Sequence, residues 1–278
     1  MHFKLKKSMN IKKIVIYGVA IFILIGCFVC YAILTKNQRY KKMVFEIVYP
    51  SDTLFTVADL EFYVKKNCPD VVGKFSDSVN LIDFEKKLEE YPYLEFVDVI
   101  TNQGVVIVKA KQEKVIAKVF SAENKRFYLA KSGRILPDNS PLSAGRVVVA
   151  NGKISGKDNP IDIIAKIDSL QKLKGVFPSV YAVWKIADYL DEDPFWEAQI
   201  GQIHADENGD ITLIPTVGDH LVIFGKIRYC DDASREVKKR FNNLKNVYKQ
   251  GFKITGWDKY KTINLKFGQE IPCERRVE

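Results

Sequence analysis

The sequence predicts an α+β protein: a single N-terminal transmembrane helix, a small β-α-α-β-β domain, and then a mixed α/β domain with an antiparallel sheet. Three observations predict it. Ile14 to Leu34 is a run of 21 residues without a charged residue, Asn, Gln or Pro. Apolar residues then recur twice at helical spacing before a hairpin pattern between residues 57 and 110. From Gln199 onward, short strand-like runs alternate with turn residues.

At a rise of about 1.5 Å per residue, the apolar run makes a helix about 31 Å long, enough to cross the hydrocarbon of a bilayer. Residues 1–13 precede it as a short lysine-rich tail that reads as cytoplasmic, with Met9 as a second candidate start. A basic start before Ile14–Ile25 also has the form of a cleaved signal, and Leu24-Ile25-Gly26-Cys27 resembles a lipobox whose cysteine would carry lipid. The chain stays apolar from Phe28 to Leu34, where a processed terminus would turn polar, so an uncleaved anchor over residues 14–34 is expected.

Nine of the 43 lysines and arginines, and none of the 34 acids, lie in residues 1–42, so the other 236 residues balance at 34 of each sign. The net charge of +9 therefore belongs to the flanks of the helix. A neutral soluble part offers no electrostatic footprint for nucleic acid. Lys36, Arg39, Lys41 and Lys42, beyond the helix, weaken an orientation argued from the first flank alone and suit anionic head groups. Cys27 and Cys30 sit inside the apolar run, and Cys68, Cys230 and Cys273 are far apart, so the five cysteines imply neither a disulfide framework nor a metal site.

Val44–Tyr49 reads as a strand ended by Pro50. Thr56 is placed to cap a helix over Val57–Lys66 carrying Leu60 and Val64, and Leu81, Phe84 and Leu88 define a second helix over Leu81–Glu90 that Tyr91-Pro92 stops. Leu94–Ile100 and Val105–Ala110, joined by turn residues, form a hairpin. This unit is set at residues 43–112. Residues 113–272 follow as the larger domain, with a helix over Ile161–Leu173, an apolar stretch over Tyr181–Leu190, and strand runs at Gln199–Ala205, Ile211–Pro215 and His220–Phe224. An amphipathic helix over Ser234–Gln250 turns Val237, Phe241, Leu244 and Tyr248 toward a sheet and Arg235, Lys238, Lys239, Arg240, Lys245 and Lys249 outward. Pro272 ends the last strand, leaving residues 273–278 as a flexible tail.

A β-α-α-β-β unit just after one membrane helix resembles the polypeptide-transport-associated (POTRA) domain of the bacterial cell-division family FtsQ/DivIB. Phe55-Thr56 with Asp59-Leu60, Ile82-Asp83, Tyr91-Pro92-Tyr93-Leu94, Val97, Val99 and Gly104 carry the likeness, followed by Gln112-Glu113-Lys114-Val115-Ile116, which lacks the family's proline. Phe127-Tyr128-Leu129, Gly133 and Leu136-Pro137 resemble the family's β domain, with its Asp replaced near Ala130. Gln202-Ile203, Ile211 to Pro215, Phe224-Gly225, Gly256-Trp257, Tyr260, Ile263-Asn264-Leu265 and Gln269 resemble its Bacteroidetes-type version.

No catalytic constellation is visible. His2, His204 and His220 are the only histidines, and no H-E-x-x-H, G-x-S-x-G or P-loop phrase occurs. Asp206-Glu207-Asn208-Gly209-Asp210 starts like a calcium loop but places Ile211 where a turn Gly is needed and Val217 where a bidentate Glu is needed, so it reads as a hairpin turn. Asp193 reads as a helix cap before Pro194. A non-enzyme without cofactor, metal or small-molecule substrate is expected.

Tyr260–Phe267 alternates Ile263, Leu265 and Phe267 against Thr262, Asn264 and Lys266, and as an edge strand it would template another chain. The resemblance implies that such last strands pair with the short bitopic partner FtsB in a complex that also holds FtsL. The implied partner-binding residues are Trp257, Tyr260, Ile263, Asn264, Leu265, Lys266 and Phe267. The implied role is a divisome scaffold at the septum, single-pass in the inner membrane with a periplasmic C-terminal domain. An envelope-assembly component with a POTRA unit, or a lipid-anchored periplasmic binding protein, is the alternative.

Overall fold

A computed structural model describes residues 11–276, apart from 37, 51, 70, 123, 140–141, 155–177, 229 and 269. The helix expected over Ile161–Leu173 lies outside the described residues. The chain forms two compact units, the first comprising Met1–Glu46, Leu60–Glu90 and Val97–Ala110, the second Ile47–Asp59, Tyr91–Phe96 and Lys111–Glu278.

The first unit begins with helix α1 (Ile11–Lys36), which contains the whole run from Ile14 to Leu34. Its window Val15–Ala32 is long and apolar enough to cross a membrane, and none of that window is buried within the protein. Strand β1 (Lys42–Val48), helices α2 (Val57–Asn67) and α3 (Leu81–Glu89), and strands β2 (Leu94–Asn102) and β3 (Val105–Gln112) follow, with the sheet ordered β1-β3-β2. Asn80 caps α3 by accepting from the N–H groups of Ile82 and Asp83, and Phe84 and Leu88 are buried from its inner face. A two-residue turn joins β2 to β3, with φ of 47° at Gln103 and 79° at Gly104, the left-handed pair that matches the twist of a hairpin. Thr56 caps α2 as expected: its Oγ1 accepts from Asp59 N–H at 3.3 Å while Asp59 Oδ2 accepts from Thr56 N–H at 2.7 Å.

The second unit is built on a nine-stranded sheet in the order β12-β11-β10-β9-β8-β7-β4-β5-β6. These strands are β4 (Val115–Ser121), β5 (Arg126–Ala130), β6 (Ile135–Pro137), β7 (Val148–Gly152), β8 (Ile200–Ala205), β9 (Ile211–Pro215), β10 (Leu221–Ile223), β11 (Tyr260–Asn264) and β12 (Cys273–Arg275). The sheet is mixed, which corrects the antiparallel sheet expected from the sequence: β4–β7, β7–β8 and β10–β11 pair in parallel. Parallel neighbours need a crossover. Helices α4 (Pro178–Glu192) and α5 (Pro194–Gln199) lie in the chain between β7 and β8, and α6 (Ala233–Asn246) between β10 and β11. Asp193 caps α5 as expected, accepting from Phe195 N–H at 3.0 Å. The inward residues of the strands, such as Val119, Ile203, Leu213 and Ile263, share one core with Ile186, Trp196 and Phe241 from these helices. The acidic segment after β8 is the expected hairpin turn, in which Asp206 Oδ1 accepts from the N–H groups of Asn208 and Asp210, both at 2.8 Å.

Candidate partner-binding sheet edge

The expected partner-binding stretch does not form the edge of the sheet. Strand β11 is flanked by β10 on one side and by β12 on the other, with Ile263 opposite Cys273 and Thr262 opposite Glu274. Ile263 and Leu265 share one face as expected, but both are fully buried, and Leu265 N–H donates to Ile223 C=O at 2.9 Å. Asn264 N–H donates to Pro272 C=O at 2.9 Å, and its Oδ1 accepts from Lys266 N–H. The Lys266 ammonium pairs with Asp210 at 2.9 Å. Phe267 lies past the end of the strand and is 64% exposed, so it leaves the face that Ile263 and Leu265 share.

The tail expected to be flexible supplies the true edge. Pro272 gives up no ladder bond, because its carbonyl is the group that β11 uses, and the chain pairs on through Cys273–Arg275. Arg276 N–H donates to Lys259 C=O at 3.0 Å, and its guanidinium donates to Asp219 C=O at 2.6 Å. Glu274 accepts from Thr262 Oγ1 at 3.2 Å and meets Lys261 at 3.5 Å. With the backbone of residues 272, 274 and 276 directed to β11, the N–H and C=O groups of Cys273 and Arg275 are directed outward. Burial pushes the Cys273 thiol up from its ordinary value.

The opposite edge is closed to pairing. Ala130 N–H donates to Arg134 C=O at 2.9 Å, and that alternation turns the backbone of Ile135 and Pro137 outward from β5. Pro137 has no N–H to offer there, and its carbonyl accepts from the Tyr93 hydroxyl at 3.2 Å.

Trp257 and Tyr260 belong to an aromatic group behind β11. Tyr260 stacks on Phe252 with centroids 5.4 Å apart and 8° between planes, and Trp257 meets Tyr248 at 4.9 Å and Phe252 at 5.0 Å. Helix α6 makes this arrangement by passing into a π-helical turn, Val247–Phe252, that carries Tyr248 and Phe252 toward the buried His220. The His220 Nε2 and the Tyr248 hydroxyl are 2.9 Å apart. Burial, then the nearby Arg276, holds the imidazole below its ordinary pKa. His204, by contrast, is on the exposed side of β8, with Nδ1 2.8 Å from Asn151 Oδ1. No cluster of three or more metal-ligating residues occurs among the described residues.

Sequence reasoning missed a buried polar pair at the end of β3, Gln112 and Glu113. Gln112 accepts from Leu54 N–H at 2.7 Å and donates to Asp52 C=O at 2.9 Å. Glu113, 1% exposed, accepts from Ser132 Oγ at 2.9 Å, and Arg134 pairs with it at 3.4 Å. Burial raises its carboxyl above the ordinary range despite those two partners. The two residues open the phrase Gln112-Glu113-Lys114-Val115-Ile116, in which Val115 stands in place of the family's proline.

A family model described as FtsQ/DivIB, C-terminal related, matches residues 114–274, from the residue after Glu113 to the middle of β12. No curated protein matches the chain.

Proposed function

Because the chain belongs to the FtsQ/DivIB, C-terminal related family, whose proteins serve cell division, we propose that it is a non-enzymatic bitopic scaffold of the divisome. In this reading α1 crosses the inner membrane with its N-terminus in the cytoplasm, and the part of the first unit beyond α1 and the whole second unit stand in the periplasm at the septum. The order β1-α2-α3-β2-β3 supports a POTRA-type role for residues 43–112, and residues 113–272 act as the β domain.

The scaffold links early and late division proteins by holding short bitopic partners of the FtsB and FtsL kind through strand addition. The observation that carries this is the asymmetry of the nine-stranded sheet: β6 is blocked by Pro137, while β12 turns the backbone of Cys273 and Arg275 outward. The docking strand of the scaffold is therefore β12, with Trp257, Tyr260 and Ile263–Phe267 as its support.

Replacing Cys273 or Arg275 with Pro removes an outward N–H and no ladder donor. Each variant of the full-length chain is expected to lose co-purification of the small bitopic partner while its thermal midpoint stays within about 2 °C of the parent. Undiminished co-purification would refute strand addition at β12. Leu265→Pro is a poor probe, since it removes the donor to Ile223 and unfolds the sheet. Depletion tests the wider role: filamentous cells support the division scaffold, and loss of outer-membrane barrel proteins supports an envelope-assembly component instead.

A further inference from the structure

A single residue, Asn37, separates the last residue of α1 from Gln38. From Gln38 onward the backbone is committed to the folded unit. Ser76 N–H donates to Gln38 C=O at 2.9 Å, Tyr40 N–H to Lys74 C=O at 3.0 Å, Gly73 N–H to Tyr40 C=O at 2.7 Å, and Lys41 N–H to Gly104 C=O at 2.8 Å. Arg39 forms an antiparallel bridge with Phe75, and its guanidinium lies 4.3 Å from the centre of that ring. Tyr40 is buried. A Cβ at Gly104 would stand 2.9 Å from the Arg39 carbonyl, so the hairpin turn is also pressed against this stretch.

There is accordingly no slack between the anchor and the unit. Two residue steps span at most about 7 Å, which keeps Gln38, and with it the Phe75–Ser76 backbone paired to Gln38 and Arg39, near the membrane end of α1. The face so held has the composition of an interfacial surface. Arg39, Lys41, Lys42 and Lys74 are exposed, and between them Val72 is 48% and Phe75 42% exposed. Asp77 acts electrostatically on Tyr40 beside this face.

We propose that Gln38–Lys42 and the Val72–Phe75 loop form a foot that binds the anionic phospholipid head groups of the membrane in which the chain is anchored. The cations meet lipid phosphates, and Phe75 and Val72 enter the boundary between head groups and acyl chains. The proposal goes beyond the division role and rests on α1 lying in a bilayer.

The test uses the full-length chain in nanodiscs of phosphatidylcholine, alone or mixed with phosphatidylglycerol. Hydrogen exchange of the Val72–Ser76 amides in the unmodified chain is expected to slow on the order of tenfold when the anionic lipid is present, and the double variant K41E/K42E should abolish the difference. In Phe75→Trp, fluorescence corrected for the three native tryptophans should be quenched by brominated acyl chains only in the anionic discs. Equal exchange in both lipids from a chain that has entered the discs overturns the foot alone, including the case in which a protein covers this face. A chain that does not enter the discs overturns the anchor and the foot together.

Discussion

At the scale of single residues, two buried titratable groups give the second unit opposite responses to pH. His220 is held below its ordinary pKa, so on acidification the unfolded chain takes up the proton first. Its contribution to stability is complete above about pH 6.5 and is lost as pH falls through the lower folded value. The thermal midpoint should therefore be level from pH 8 to 7 and decline below, and His220→Phe should flatten that decline in a scanning-calorimetry series. Glu113 is raised by burial, so its contribution is complete below about pH 4.5 and is lost as pH rises through the folded value. Glu113→Gln keeps an acceptor for Ser132 and removes the charge. It should raise stability by about 1 kcal/mol at pH 7 in urea unfolding, and a loss of that size would show that the Arg134 pair outweighs the burial. In the sequence His220 is a lone strand histidine that could be packed or solvated, and its burial depends on Tyr248, Phe252 and Trp257, which the fold brings to it. The burial of Gln112 and Glu113 was not legible either, since it depends on Leu54, Ser132 and Arg134, which are brought there by the fold.

At the scale of elements, periodicity carried far where a pattern repeats and failed where a contact from elsewhere decides. The stripe Val237, Phe241, Leu244 and Tyr248 gave α6 its buried face, but it continued as a plain helix to Gln250 in the sequence reading. The structure inserts a π turn at Val247 so that Tyr248 and Phe252 close on His220, and nothing local in the sequence announces it. Such a turn amounts to one extra residue in an α-helix. Deleting the exposed Lys249 should restore α register, rotate Phe252 off His220 and lower stability by about 2 kcal/mol or more, measured by urea unfolding with Trp257 as a reporter. The hairpin of the first unit was legible from Thr101 to Gly104, and its turn is improvable. Gln103 adopts φ 47° without the side chain that favours it. Gln103→Asn should stabilise that unit by about 0.5 kcal/mol, whereas Gly104→Ala, with a positive φ and the Arg39 carbonyl 2.9 Å away, should destabilise it by at least about 1 kcal/mol. Strand β12 was illegible because it has only three residues and follows Pro272, a combination that reads as a tail until Asn264 is found donating to the proline carbonyl.

At the scale of the whole molecule, the distribution of charge is the feature the sequence expressed most directly and explained least. An α+β chain behind one apolar helix was readable from hydropathy and spacing. The mixed order of the large sheet was not, because three parallel pairings depend on which face each crossover takes. The surplus of lysine and arginine on both flanks of α1 posed a conflict: the near flank argues for a cytoplasmic N-terminus, and Lys36, Arg39, Lys41 and Lys42 argue against it. In the proposed reading, the backbone bonds of Gln38–Lys41 to the 73–76 loop and to Gly104 ease the conflict, since they make Arg39 and Lys41 part of a folded surface rather than a topology signal alone. On the proposed topology, orientation then depends on the five lysines of the tail, Lys4, Lys6, Lys7, Lys12 and Lys13. Changing all five to Gln leaves the strongest cationic flank on the wrong side of the helix. The expected outcome is partial inversion, read as a severalfold fall in the activity of a phosphatase fused after Glu278 that is active only in the periplasm. Additional conversion of Arg39, Lys41 and Lys42 to Gln should restore that activity, because the two flanks are then nearly balanced. An unchanged signal in the five-lysine variant would mean that the mass of the C-terminal units, and not the charge of the tail, fixes the topology.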